Sequence, residues 1–317
     1  MGESFKRILD LSRTVTILKA ETKTKPNREK EMKMTQAISD TLHSIGYDVE
    51  TYTCLHHNEP MPLDDWLRAT SGGKSGKRQY ATLASRGVKT DKGLKDKVKT
   101  FILYMSPAKE AGVNMCPMSG NCASVCINTS GQMVMRPAIQ ARIKRTLRYH
   151  LYREQFMHDL TCELNIHKYT CELDGYTPAV RLNGTSDILW ERTGIIDKFP
   201  ELQFYDYTKF TKRQRPNVPS NYHLTYSLSE QAGSWGNAKE WLDNGGNVAV
   251  VVRNKLQARF AVAMGFQGYP AINGDKNDLR YTDPKGTAVI LYAKGKATKD
   301  TSGFVQDINT QDISIAA

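Results

Sequence analysis

The amino-acid sequence lacks any apolar run close to the roughly 20 residues that a membrane-spanning helix needs. Its beginning, Met1-Gly-Glu-Ser-Phe-Lys-Arg-Ile, has no apolar core of the kind found in a secretory signal. It also contains no convincing internal repeat. We therefore expect a cytoplasmic protein with no membrane partner, and the 39% of hydrophobic residues predicts a sizeable buried core.

Acidic residues are scarce relative to basic ones, 33 against 44, so the formal charge is +11. Basic residues concentrate in Arg68–Lys99, in Arg136–Arg153 and around Lys209. Such clusters suit a phosphate backbone, although solvated basic faces that keep the protein soluble are the alternative. Three clusters together favour nucleic acid as partner, DNA more than RNA. The candidate contacts are Lys74, Lys77, Arg78, Arg142, Arg145, Arg148, Lys212 and Arg213.

Three of the six cysteines lie close together in Cys116-Pro-Met-Ser-Gly-Asn-Cys122-Ala-Ser-Val-Cys126. Thiolates bind zinc and iron strongly, and the turn-forming residues between them let the loop wrap around an ion or cluster. The sequence therefore predicts a metal centre, with three buried core thiols as the alternative. The fourth ligand position stays open for S-adenosylmethionine on a [4Fe–4S] cluster, or closes as structural zinc. The candidate closing ligands are His150, His158, Cys162, His167 and Cys171.

Three segments are expected along the chain. Residues 1–67 read as a small α/β appendage, with strands at Thr14–Ala20 and Asp48–Cys54 and a helix from about Arg28 to Ser44. Residues 68–99 read as a flexible basic connector, and residues 100–317 as the main domain. There, Pro137 opens an amphipathic helix that extends to Leu151 or on to near Asn165.

Beyond Asp174, short apolar runs with polar ends predict buried strands. The intervening segments have room for one helical crossover each, as between Ser229 and Trp241, which favours parallel strands. The predicted fold is α/β, with TIM-barrel-like parallel strands, full or partial, and the small N-terminal appendage. The runs are Ala179–Leu182, Leu202–Tyr205, His223–Tyr226, Val248–Val252 and Ala288–Leu291.

Polar side chains follow three of these strands. In parallel α/β folds active sites collect at the carboxyl ends of strands, so we expect Asp187, Asp206 and Lys209 to face one mouth as catalytic residues, with Glu230 nearby. Helix capping is the alternative role for Ser229 and Glu230. Paired carboxylates with a lysine also occur in metal-dependent nucleases.

The chain resembles a phage-encoded family of uncertain biochemical role. The resemblance rests on Cys116-Pro117 with Cys122 and Cys126, the basic helix Arg142–Arg148, the Arg181–Asp187 strand and the motif Phe204-Tyr-Asp-Tyr-Thr-Lys209, and it covers about Phe101 to Phe304. That family is distantly similar to radical S-adenosylmethionine barrels, whose cysteine loop follows the first strand and holds a [4Fe–4S] cluster. Here Phe101–Met105 is such a strand, although the cysteine spacing is wider.

A second similarity is to barrel transglycosylases that exchange guanine for a deazaguanine in tRNA or phage DNA. It implies a structural zinc on the three cysteines and Asp187 or Asp206 as nucleophile. The leading hypothesis is a phage-type metalloenzyme in the host cytoplasm that modifies bases of DNA or nucleotides with a cysteine-ligated iron–sulfur cluster. The alternatives are the zinc-containing exchange enzyme and a non-enzymatic nucleic-acid-binding protein with a structural metal.

Overall fold

The computed structural model describes residues 34–55, 59–69, 82–85 and 91–308. It begins with a small α/β unit, in which Thr35 caps the first helix by accepting a hydrogen bond from the Ile38 backbone. A three-stranded antiparallel sheet and a second helix follow. The elements are α1 (Gln36–Ser44), β1 (Tyr47–Asp48), β2 (Thr53–Cys54), β3 (Glu59–Pro60) and α2 (Leu63–Arg68).

The single strand expected from Asp48 to Cys54 is in fact a hairpin turn between β1 and β2. The Asp48 carboxylate accepts from the Glu50 backbone at 2.9 Å and from the Thr51 hydroxyl at 2.9 Å, and these bonds close the turn. The helix expected to end near Ser44 is confirmed for its described part. Its start, and the strand expected at Thr14–Ala20, lie outside the described residues.

A sheet of eight strands forms the centre of the main unit. Its strands coincide with the apolar runs, because Val, Ile and aromatic residues fill both faces of a sheet covered on both sides. Two further strands, β4 and β10, had no such signal: one has two residues and the other three. The strands are β4 (Ala84–Ser85), β5 (Val98–Leu103), β6 (Thr177–Arg181), β7 (Gln203–Thr208), β8 (Tyr222–Ser227), β9 (Asn247–Val252), β10 (Ala271–Asn273) and β11 (Ala288–Tyr292).

The strand order is β10-β11-β9-β8-β7-β6-β5-β4, and every pair is parallel except β4 with β5. Chain neighbours from β5 to β9 are therefore also neighbours in the sheet, as in a barrel wall. Among the described residues, however, β4 and β10 are the two edges and do not pair. The predicted mostly parallel α/β sheet is confirmed, and the described strands form an open ladder.

Four helices flank this sheet: α3 (Arg136–Leu151), α4 (Arg153–Asp174), α5 (Ser234–Asp243) and α6 (Lys255–Met264). The expected continuous helix through Asn165 is interrupted at Tyr152, where φ is −130° and ψ is 53°, and a second helix starts at the next residue. The crossover predicted between Ser229 and Trp241 is helix α5. The connection from β7 to β8 has only a 3₁₀ turn, Lys212–Gln214.

The main core lies between the sheet and these helices and includes Val180, Phe204, Val250 and Ile290. A second apolar cluster joins α1 and α2 to α3 through Ile143, Leu147 and Leu151. The small α/β unit therefore packs on the main unit. Within the described part of the chain, no helix is long and apolar enough to cross a membrane.

Candidate metal and active site

One cavity of about 410 Å³ lies at the carboxyl ends of the parallel strands. All three clustered cysteines line it, and so do Asp187 and Lys209. We call it the thiol cavity. The structure thus brings five residues that the sequence singled out to one mouth, where the loops of a parallel sheet converge.

The cysteine loop connects β5 to α3 and is held by residues that follow other strands. The Cys116 thiol donates to the Thr185 carbonyl at 3.6 Å, and the Asp187 backbone donates to the Met115 carbonyl at 2.9 Å. Beyond β8, the Glu230 carboxylate accepts from the Asn121 backbone at 2.6 Å. These contacts fix the loop over the cavity.

Gly120 leaves room for this attachment. A Cβ atom there would overlap the Glu230 carboxylate and lie 2.8 Å from the Gln231 side-chain nitrogen, so both side chains would have to shift. The Gln231 amide in turn donates to the Met118 carbonyl at 3.3 Å. Glu230 therefore positions the loop, a role that the sequence did not indicate, since it predicted Glu230 only near the mouth or as a helix cap.

Burial raises the pKa of all three thiols, that of Cys116 to about 12. Each pair among Cys116, Cys122 and Cys126 also interacts electrostatically, which raises the pKa further. A bound cation reverses this balance, since metal ligation requires thiolates. The donor set therefore fits a metal group chemically.

The thiols are not drawn together around a single point. Among the described residues, no three His, Cys, Asp or Glu side chains form a group able to hold one metal ion. A single zinc ion, with sulfurs at about 2.3 Å, needs its ligands almost in mutual contact. A cubane cluster has its cysteine ligands on separate irons and therefore requires wider sulfur spacing than a single ion does.

Asp187 is buried, with 8% of its surface exposed. Its Oδ2 accepts from the Lys209 backbone at 2.8 Å, whereas its Oδ1 has no hydrogen bond of good geometry from the described part of the chain. The Thr208 hydroxyl is close enough to lower the pKa, but burial dominates and raises the pKa of Asp187 to about 6. A carboxyl that titrates near neutral pH at a cavity wall suits proton transfer.

Lys209 follows strand β7 and directs its ammonium group into the thiol cavity. Its Nζ donates to the Ser227 hydroxyl at 3.1 Å and lies 4.9 Å from the centre of the Phe304 ring. Burial lowers the pKa of Lys209, while the nearby Cys122 and Glu230 oppose that change. The cation is placed to stabilise a thiolate or an anionic substrate group.

Asp206 does not line the cavity, so its expected place at the mouth is corrected. It is 1% exposed and accepts from the Asn183 backbone and the Tyr222 hydroxyl, both at 2.9 Å. Burial raises its pKa to about 7 and outweighs the attraction of Arg181, whose nearer carboxylate is Asp278 at 2.6 Å. Asp206 holds the loop after β6 and is a structural residue.

Three arginines of α3 are directed into the protein, which corrects their expected exposure on a basic face. Arg142 is 2% exposed and pairs with Glu110 at 2.8 Å. Arg148 is 3% exposed and pairs with Asp159. Arg145 donates to the Tyr104 carbonyl at 3.3 Å, and burial lowers its pKa to about 10. These groups anchor α3.

The remaining basic candidates divide into two sets. Lys74, Lys77 and Arg78 lie outside the described residues. Lys212 and Arg213 belong to the 3₁₀ turn after β7, which contacts the cysteine loop where the Gln214 amide reaches the Met118 sulfur at 3.9 Å. Arg213 is exposed there. These two remain candidates for a basic rim of the mouth.

The candidate closing ligands lie elsewhere. His158 and Cys162 contact each other on α4 at 3.7 Å, and His167 and Cys171 form a similar pair farther along the same helix. None of these four side chains lines the thiol cavity, and neither does His150. In the described structure, none of these five candidate residues therefore supplies a fourth metal ligand beside the three cysteines.

Sequence reasoning missed the polar floor of the thiol cavity. Arg181 is 2% exposed and pairs there with Asp278 at 2.6 Å, while Tyr207 lines the same wall. Arg181 was read only as part of a buried strand. The signal was a charged residue at the end of that strand, since a buried arginine needs a carboxylate partner.

Residues 75–308 match one family model, described as Gene product 88. The match begins in the predicted basic connector and includes the sheet, the cysteine loop and both strand-end residues Asp187 and Lys209. It agrees with the expected phage-encoded family. No curated protein and no solved structure matches the chain.

Proposed function

The chain belongs to the Gene product 88 family, and we propose that it is a metalloenzyme that modifies DNA or nucleotides, with an iron–sulfur cluster on Cys116, Cys122 and Cys126. The observation that carries the proposal is the convergence of three half-buried thiols from one loop on the cavity that Asp187 and Lys209 also line. Acid–base groups beside a metal donor set are what a catalytic site requires. A purely structural metal requires neither.

Three protein ligands leave one coordination position of a [4Fe–4S] cluster open, and such a cluster supplies radical chemistry from S-adenosylmethionine when that ligand is bound. The chain's own residues have distinct tasks. The ammonium group of Lys209 compensates thiolate charge at Cys122. The carboxyl of Asp187 holds or moves a proton at its Oδ1 atom.

The nucleic-acid side of the proposal rests on charge. The formal charge is +11, and Arg213 is exposed on a turn that contacts the cysteine loop. A basic rim attracts phosphates to the mouth of the cavity. Arg142, Arg145 and Arg148 contribute to the scaffold in this proposal and not to the rim.

Anaerobic purification followed by absorbance spectroscopy and iron, sulfide and zinc analysis tests the cluster. We expect a brown protein with about four irons and four sulfides per chain. Cys116→Ser, Cys122→Ser and Cys126→Ser should each lose most of the iron. Cys162→Ser, which changes a thiol on α4 outside the cavity, is the matched control and should retain it. A colourless protein with stoichiometric zinc overturns the cluster.

The zinc-containing base-exchange enzyme is the second candidate, and one observation favours it. Asp187 presents a buried Oδ1 without a well-formed hydrogen bond at a cavity wall, as a nucleophile must. Incorporation of labelled guanine or deazaguanine into DNA tests this candidate. It predicts exchange that Asp187→Asn abolishes while zinc and DNA affinity are kept. A non-enzymatic binder predicts no function that depends on Asp187.

A further inference from the structure

A second cavity, of about 740 Å³, lies beside the thiol cavity. Asp187 lines both and forms a wall between them. Arg153 and Arg192 line the second cavity, together with the aromatic rings of Tyr149 and Phe210. We call it the arginine cavity.

The two arginines differ from those buried in the scaffold. The Arg153 guanidinium stacks over Tyr149, 3.7 Å from the ring centre, and Arg192 donates to the Gln214 carbonyl at 2.8 Å. Neither forms an ion pair with a carboxylate among the residues that the structure describes, whereas Arg142 and Arg148 both do. Their charge is therefore available to a ligand.

The rest of the lining selects the kind of ligand. Asp187 is the one acidic side chain among the described lining residues, so the cavity attracts anions near Arg153 and Arg192. The half-buried Val113, Met157 and Ile188 add apolar surface, and the volume lies within the range of about 300–1,000 Å³ that small-molecule sites occupy. A ligand with an aromatic ring and an anionic group meets both requirements.

We propose that the arginine cavity binds one nucleotide unit of the substrate, with its phosphate at Arg153 and Arg192 and its base directed toward Asp187. Guanidinium groups bind phosphate oxygens by paired hydrogen bonds, and the flat ring of a base packs against apolar side chains such as Met157 and Ile188. The inference rests on the proposed function, because it specifies the substrate of the same site. In this arrangement, only the Asp187 side chain separates the base from the thiol cavity.

Equilibrium binding tests this inference with two probes, a deoxynucleoside monophosphate and a fluorescently labelled single-stranded oligonucleotide. The double variant Arg153→Gln/Arg192→Gln removes both guanidinium groups from exposed positions. We expect about tenfold weaker binding per arginine, because each loses charged hydrogen bonds to phosphate. The matched control is Arg259→Gln, an exposed arginine on α6 that lines neither cavity.

Weaker binding of the mononucleotide assigns the cavity to a free nucleotide, and weaker binding of the oligonucleotide alone assigns it to a nucleotide within a strand. Both outcomes support the inference. Equal affinities for the double variant and the Arg259→Gln control, with both probes, overturn it. Iron and sulfide are measured on the same samples. A protein that binds nucleotide through these arginines but contains no cluster would contradict the proposed function and leave the present inference intact.

Discussion

The side chains of Asp206 and Lys209 lie on different faces of the sheet, because residues three positions apart on a strand alternate in direction. Lys209 enters the thiol cavity, whereas Asp206 is enclosed with Tyr222 in the core. Burial favours the protonated form of the Asp206 carboxyl and outweighs the opposing charge of Arg181 at 3.9 Å, and this has a measurable effect on stability.

Replacing Asp206 with Asn should flatten the pH dependence of stability. The pKa in the folded protein is about 7, above the ordinary value of 3.8. The folded chain therefore binds more protons between these values, and the free energy of unfolding falls as pH rises from about 4 to about 7. The Asp206→Asn variant has no carboxyl to ionise and does not lose this stability. Its free energy of unfolding should therefore rise relative to that of the parent protein as the pH increases from about 4 to about 7.

Urea unfolding at several pH values measures the effect. Asp40→Asn makes the same charge change on the exposed surface of α1 and is the control. It should follow the parent curve. Parallel curves for Asp206→Asn and the parent would show that Asp206 is ionised throughout.

At the scale of single residues, the sequence predicted which residues line the cavity, but it predicted the directions of their side chains only in part. Cys116, Cys122, Cys126, Asp187 and Lys209 were found by residue type and by position after a strand. The predicted position of Asp206 at the cavity mouth was wrong. Its separation of three positions from Lys209 already indicates that the two side chains point in different directions. The partners of Asp206, Tyr222 and the Asn183 backbone, come from other strands and have no local signal.

The cysteine loop acts as an element without regular secondary structure beyond short 3₁₀ turns. Its shape depends on contacts from residues that follow β6, β8 and β11, including the Lys296 backbone, which donates to the Thr129 hydroxyl at 3.4 Å. Disturbing one contact should displace the thiols while the sheet remains intact.

Gly120→Ala should loosen the loop without unfolding the protein. The added Cβ overlaps the Glu230 carboxylate, so that side chain must shift and the segment around Cys122 loses the hydrogen bond between Glu230 and the Asn121 backbone. We expect faster labelling of Cys122 by a thiol reagent and a lower iron content, with a change in unfolding free energy of about 1 kcal/mol or less. Mass spectrometry of the labelled protein identifies the thiol.

Gly236→Ala is the control for that variant. Gly236 lies in helix α5, is exposed, and has nothing within 4 Å of an added Cβ. Alanine should stabilise this helix by up to about 1 kcal/mol and leave the labelling rate of Cys122 unchanged. Unaltered labelling and iron content in Gly120→Ala would contradict a positioning role for Glu230.

Helix α3 shows why the element-level prediction was incomplete. The spacing of its apolar residues and its start near Pro137 could be predicted from the sequence, because both depend on residues that are close together in the chain. The direction of Arg142 and Arg148 depends on Glu110 and Asp159, which are 32 and 11 residues away. A face that looks solvent-exposed on a helical projection is buried when a second layer supplies carboxylates.

On the scale of the whole molecule, the net charge of +11 predicts salt-dependent binding to DNA. Lys74, Lys77 and Arg78 place three basic residues within five positions of the predicted connector and no acidic residue among them. Changing all three to Ala should reduce the slope of log K against log salt by up to about 2.7, since each phosphate contact contributes about 0.9. Fluorescence anisotropy with duplex DNA over a range of salt concentrations measures it.

The matched control changes three exposed cations outside the basic runs, namely Lys198, Arg259 and Lys285. Lys198 and Lys285 precede β7 and β11 and lie at the amino-end side of the sheet. The control should alter the slope little. Equal slopes for the two triple variants would attribute DNA affinity to overall charge alone.

The anchoring of the cysteine loop has a consequence for the removal of the proposed cluster. In small zinc domains the metal and the fold appear together, so chelation denatures them. Here the bonds from Glu230, Thr185 and Lys296 hold the loop by protein contacts alone. We therefore expect a chelator to strip the iron while the melting temperature changes by only a few degrees. Reloading with iron and sulfide should then be reversible without a refolding step.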